Sequence, residues 1–118
     1  MDSPLNLLAI KLLVANLGAP SNRYTYNDDE NRYYTEVISY SGFATISLAI
    51  VKKVAGRFPH FKLPNEVNVV NATFLNGMYY SSVNSRYVVN HFYAKGNEII
   101  SSQTADIDYG FFYGIIKL

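Results

Sequence analysis

From Glu66 to Leu118 the chain alternates short runs of β-branched and aromatic residues with turn-forming residues, and this punctuation constrains its fold more than any other feature. Val67 to Leu75 is followed directly by Asn76-Gly77 and then by Met78 to Val83. Asn-Gly is the pair favoured in a two-residue type I′ hairpin, because both central positions need positive φ. Asn84-Ser85 predicts a second turn into Arg86 to Ala94, and Lys95-Gly96-Asn97 a third into Glu98 to Thr104. Ala105 to Asp108 then connects to a last strand, Tyr109 to Lys117. The expectation is a five-stranded antiparallel meander in which neighbours in sequence are neighbours in space.

The first half is punctuated differently. Ser3-Pro4 has the form of an N-cap followed by the proline favoured at the first helical position, and Gly18 with Pro20 has the form of the matching stop. Leu5 to Leu17 is therefore expected to be a helix. Its polar residues Asn6, Lys11 and Asn16 point in different directions, so it should be largely buried by the sheet or by another subunit. Arg23 to Tyr26 is expected to pair with a strand at Tyr33 to Tyr40, with Asp28-Asp29-Glu30 in the solvated turn between them. Ser41-Gly42 would open a second helix, Phe43 to Ala55, with Ile46, Ile50 and Val54 on one stripe and Gly56 as its stop. Pro59 and Pro64 bracket a linker to the meander. The expected fold class is thus α+β: helix, short hairpin, helix and five strands, with one or both helices on the concave face of the meander.

A chain of 118 residues buries about two thirds of its unfolded surface, enough for a single domain over residues 1–118 without metals or cross-links. The absence of cysteine excludes disulfides, thiol nucleophiles and cysteine-type zinc sites. Charged residues make up 16% of the chain, below the roughly 25% typical of soluble domains, while hydrophobic residues reach 49%. Neutral polar groups, tyrosines or a partner must cover the remaining surface. The apolar N-terminal stretch lacks the basic start of a targeting segment, with Asp2 in its place, and is too short for the roughly twenty residues of a membrane span. A cytoplasmic protein without a membrane anchor is expected. The Asn71-Ala72-Thr73 sequon falls within a predicted strand, which argues against a glycosylated loop.

Residues with chemistry to offer are few. Of the two histidines, His60 falls between the prolines and His91 in the middle of a meander strand, beside Tyr87, Val89 and Tyr93 by parity. An imidazole is the commonest proton carrier, so a small-molecule cup or small enzyme would use His91 with Tyr93 and Asp108. A half-buried histidine bonded to a tyrosine or a backbone group accounts for His91 more simply. A two-histidine site would need His60 and His91 together, which nothing in the sequence requires. Asp106 and Asp108 share a side of an extended segment but have no further oxygen ligands at loop spacing, and Asp28-Asp29-Glu30 is a solvated loop tip. No phosphate-binding loop and no nucleophile elbow is present. No metal and no cofactor is implied.

Eleven tyrosines carry the strongest functional signal. Tyr79, Tyr80, Tyr87, Tyr93, Tyr109 and Tyr113, all in the meander, are candidate binding residues, because tyrosine supplies rigid amphipathic contact area. In the last strand Tyr109, Phe111, Tyr113 and Ile115 share one parity, while Gly110, Phe112, Gly114 and Ile116 share the other. The glycine side admits a close approach by a helix or backbone, and the aromatic side lines a core or meets a partner. Single-strand nucleic-acid binders combine such rings with a basic groove, and here 10 Lys and Arg face 9 acids and do not cluster beyond Lys52-Lys53 and Arg57, so nucleic acid is disfavoured. The expected function is non-enzymatic: a small protein–protein interaction or assembly module, homo-oligomeric through its apolar first helix, of a general character that suits a virus- or phage-encoded accessory or virion protein. The different-class alternative is the small-molecule cup around His91.

Overall fold

The computed structural model describes residues 20–30, 33–52, 60–101 and 107–118, and every regular element within them is a strand. In chain order these are β1 (Asn22–Asp28), β2 (Tyr33–Ser39), β3 (Phe43–Ile50), β4 (His60–Lys62), β5 (Val69–Ser81), β6 (Arg86–Gly96), β7 (Glu98–Ile100) and β8 (Gly110–Lys117). They form one antiparallel sheet in the order β1-β2-β3-β8-β5-β6-β7-β4. The fold is all-β, which corrects the expected α+β arrangement of two helices on a meander. The first expected helix, Leu5 to Leu17, lies outside the described residues.

The second expected helix is contradicted directly. Phe43–Ile50 is β3, bonded on one side to β2 and on the other to β8. The stripe Ile46, Ile50, Val54 that suggested a helix has a spacing of four, which divides by two as readily as it approximates one helical turn. Burial decides for period two: Ala44, Ile46, Leu48 and Ile50 are buried, while Phe43, Thr45, Ser47 and Ala49 are only partly covered. Ser41-Gly42 is not a helix start. It closes the β2–β3 hairpin, with the Tyr40 amide donating to the Phe43 carbonyl at 2.8 Å and Gly42 at φ +86°. A positive φ at the second central turn position is what glycine supplies at no steric cost.

The meander is corrected in two places. Asn76-Gly77 makes no turn; it lies within the unbroken 13-residue β5, whose residues 73–81 pair with residues 86–94 of β6. Gly77 is there for proximity. A Cβ on it would fall onto the backbone carbonyl of Phe111, so only glycine lets β5 lie against β8 at this point. The last strand, moreover, does not extend the meander at its end. β8 inserts between β3 and β5, pairing Leu48 with Phe112 on one side and Gly77 with Phe112 on the other. The glycine side of β8 receives the β5 strand and its side chains: a Cβ on Gly110 would come within 2.8 Å of Tyr79 Cβ, and one on Gly114 within 2.7 Å of the Phe74 carbonyl oxygen.

The other turns stand close to where the sequence puts them. β1 pairs with β2 from Asn22↔Ser39 to Asp28↔Tyr33. The β5–β6 loop ends at Ser85 with φ +52°, and the β6–β7 turn has Gly96 at φ +61° between the paired Lys95 and Glu98.

The sheet curls until its two ends meet. β4, the last strand in the order, presents its free edge to the inner side of β2: the Lys62 amide donates to the Tyr33 hydroxyl at 3.0 Å, and Thr35 Oγ1 donates to the Lys62 carbonyl at 2.8 Å. Side chains thus satisfy backbone groups that an open edge would leave to solvent. The concave side is the core. A run of aromatic contacts crosses it, from Tyr33–Phe61 at 5.0 Å through Phe61–Phe92 at 5.7 Å to Phe92–Phe112 at 4.3 Å, with Leu48, Leu75, Ile99 and Ile107 fully buried around it. Asn97 fixes the loop that leaves β4, its Nδ2 donating to the carbonyls of Pro64 at 2.7 Å and Val67 at 3.1 Å.

Candidate functional site

With the concave side filled, the convex side of β8, β5 and β6 is the unusual surface. Strand parity turns Phe111, Tyr113 and Ile115 of β8 outward, together with Phe74, Asn76, Met78 and Tyr80 of β5 and Tyr87, Val89, His91 and Tyr93 of β6. Register lines them up across the strands. Phe111, Met78 and Val89 form one row, Tyr113, Asn76 and His91 the next, and the Phe74–Tyr93 pair follows with Ile115 at its β8 end. Tyr80 and Tyr87 close the other end, their rings edge-on at 5.4 Å.

These side chains are accessible: Val89 is 79% exposed, Tyr87 67%, Phe74 61%, Ile115 60%, Phe111 54% and Met78 48%. None of the eleven outward positions holds a lysine, arginine, aspartate or glutamate. Charge begins at the margins, at Lys117 beyond Ile115 in β8 and where Lys95, Glu98 and Lys62 succeed one another across β6, β7 and β4. On the β3 side the outward residues Thr45, Ser47 and Ala49 are small, so the face ends in a step. At its centre Phe74, Asn76 and His91 border a shallow, open depression, with the Phe74 and His91 rings edge-on at 5.4 Å.

Of the six tyrosines singled out by sequence, Tyr80, Tyr87, Tyr93 and Tyr113 lie on this face and Tyr109 is exposed just before β8. Tyr79 does not. It is 2% exposed, on the concave side against Phe112. Phe74, Met78 and Val89 were not among the expected binding residues. The Asn76-Gly77 hairpin would have split β5 and hidden the fact that Phe74, Asn76, Met78 and Tyr80 share one parity, which is the signal that could have found them.

The residues of the enzymatic alternative are not brought together. His91 is exposed opposite Asn76, whereas Asp108 is buried where its amide donates to the Tyr80 carbonyl, four residues along β5. At about 3.3 Å per residue that is roughly 13 Å along the strand. Tyr93 stands beside His91 but opens on the same face. His60 sits in β4, in register with Ile100 and so with Tyr93, which leaves it about 12 Å from His91 and 3.9 Å from the Glu98 carboxylate. Asp106 lies outside the described residues. Among the described residues no cluster of three histidine, aspartate or glutamate side chains is placed to hold a metal ion, and no helix is long and apolar enough to cross a membrane.

A separate cleft of about 770 Å³ opens at the end of the curled sheet where β2 turns into β3. Val37, Ala44, Val67 and Ile116 form its floor, and Glu66, Asn68 and Lys117 stand among its polar lining. The side chains at this end are short, while Tyr33, Phe61, Phe92 and Phe112 crowd the rest of the core. Neither His91, Tyr93 nor Asp108 lines the cleft.

No protein-family model, no curated protein and no solved structure matches the chain.

Proposed function

We propose that the chain is a protein–protein interaction module whose contact surface is the convex face of β8, β5 and β6. One observation supports it above the others: large apolar side chains stand exposed and contiguous on three adjacent strands, β5 hydrogen-bonded to β8 on one side and to β6 on the other, in a patch without formal charge. Isolated exposed apolar residues are ordinary, but a contiguous patch of several hundred Å² marks an interaction site. Covering about 500 Å² of it would contribute about 12 kcal/mol. That is within the roughly 4–15 kcal/mol that association costs in lost freedom, so the aromatic anchors and the central depression set the affinity.

The rival, a cup built on His91, Tyr93 and Asp108, has less support, since His91 lies on the open convex face and the larger cleft is elsewhere. The test places a photo-cross-linking residue at position 89, on the face, and at position 83, which is equally exposed but in the β5–β6 loop. In lysate of the source cells, position 89 is expected to form adducts with a polypeptide, either another protein or a second copy, and position 83 is not. Equal adducts at both positions, or none at 89, would remove the proposal.

A further inference from the structure

We infer that the occupant of the convex face is a second copy of this chain, packed sheet on sheet in a two-fold dimer. The inference rests on the interaction face proposed above and adds the identity of its partner.

Charge is the first argument. An interface that selects a different protein carries complementary charges that steer and discriminate, and rows such as Phe111, Met78, Val89 offer none. The eleven positions of the face carry no formal charge, so they meet their own copy without like-charge repulsion, and an axis across the strands also keeps the marginal Lys95 and Lys117 of the two copies apart. Symmetry is the second. A two-fold dimer sets the same patch against itself. The face is centred on Asn76, with Tyr113 and His91 to either side and an apolar row before and after. A two-fold axis along β5 would lay β8 of one copy over β6 of the other. An axis across the strands would lay the Phe111 row over the Ile115–Phe74–Tyr93 row. Either operation covers aromatic and aliphatic side chains with their like, and each copy's central depression is open to a side chain from its partner.

Area is the third argument. At about 200 Å² for a large aromatic side chain, the exposed fractions of Phe74, Tyr87, Phe111 and Tyr113 present on the order of 450 Å². With Met78, Val89 and Ile115 the face approaches the roughly 800 Å² per partner of a standard interface. Sheets packed this way stand about 10 Å apart with interdigitating side chains. The charged Lys95–Glu98–Lys62 row falls at the rim, where interfaces are polar.

Sedimentation equilibrium of the full chain from about 1 to about 100 µM tests this, with the range set to bracket a micromolar dimer. The wild-type chain is expected at twice its 13.3 kDa mass, with Val89→Lys and Met78→Lys each weakening the dimer by roughly 30-fold or more and the loop control Val83→Lys leaving it unchanged. All three positions are exposed, so the monomer fold is not at stake, and far-ultraviolet circular dichroism verifies it. A wild-type chain that stays monomeric throughout, or a dimer indifferent to both lysines, overturns the second copy as occupant. If position 89 still cross-links to a different polypeptide, the face survives as an interaction surface and only the dimer falls; if it cross-links to nothing, both fall.

Discussion

Tyr33 shows how one hydroxyl serves both core and edge. Its ring stacks on Tyr26 at 5.8 Å and meets Phe61 edge-on, while its oxygen accepts the Lys62 amide that the end of the sheet would otherwise leave unpaired. Burial, the largest effect, pushes its pKa up from 10.0 to about 12, and the hydrogen bond from Lys62 only partly opposes this. Below pH 10.0 the hydroxyl is protonated in folded and unfolded chains alike; between there and about 12 the unfolded chain releases the proton while the folded chain keeps it. Rising pH therefore favours unfolding in that window. Tyr33's contribution is present in full below the lower value and is lost as pH climbs through the upper one. Tyr33→Phe should cost about 1 kcal/mol at neutral pH, because the Lys62 amide loses its acceptor. In urea unfolding followed against pH, the gap to the wild-type chain should close on the alkaline side. A constant gap would mean that the hydroxyl titrates as in the unfolded chain.

At the scale of elements, β5 and β8 meet where glycine removes the obstacle. Gly77, Gly110 and Gly114 sit opposite bulky side chains or backbone of the facing strand, so that Phe112 and Tyr79 can fill the concave side without forcing the strands apart. Gly42 is a glycine for a different reason: its φ is +86°, and nothing lies within 4 Å of where a Cβ would stand. Alanine distinguishes the two. Gly77→Ala must separate β5 from β8 and should cost about 3 kcal/mol, the upper end for overpacking. Gly42→Ala pays only for a left-handed residue, about 1–2 kcal/mol. Equal shifts in the urea midpoint would remove the close-approach account of Gly77. A residue pair typical of turns thus ends in mid-strand, because close contact with β8 asks for the same small residue that a tight turn does.

For the whole molecule the question is what keeps a curled sheet closed. β4 has three residues, pairs among the described strands with β7 alone, and is held to β2 by Tyr33 and Thr35 rather than by a strand ladder. That seam should open first. Replacing both groups, Tyr33→Phe with Thr35→Val, should speed amide hydrogen exchange in β4 and β7 well before it affects β5 and β6, whose pairing extends over most of their length. Uniform acceleration across the sheet would mean that the seam is no weaker than the ladders. The outer face stands apart from this: its side chains meet one another across the strands, as Phe74 does His91 and Tyr80 does Tyr87, but much of their apolar area stays open.

By itself the sequence determined what depends on neighbours along the chain: the β1–β2 hairpin, the turns near Ser85 and Gly96, and the strict alternation in β8 that separates Phe111, Tyr113 and Ile115 from Gly110, Phe112 and Gly114. Positive φ and period two are local properties, and they are legible locally. Tertiary structure alone decided that 43–50 is a strand, since a spacing of four suits helix and sheet equally until burial selects one. It decided that Asn76-Gly77 runs straight, that β8 lies between β3 and β5, and that Phe74, Met78 and Val89 share a solvent-facing surface with the tyrosines. Each of these depends on which distant strand lies alongside, and that is set by packing across the sheet rather than by any run of adjacent residues.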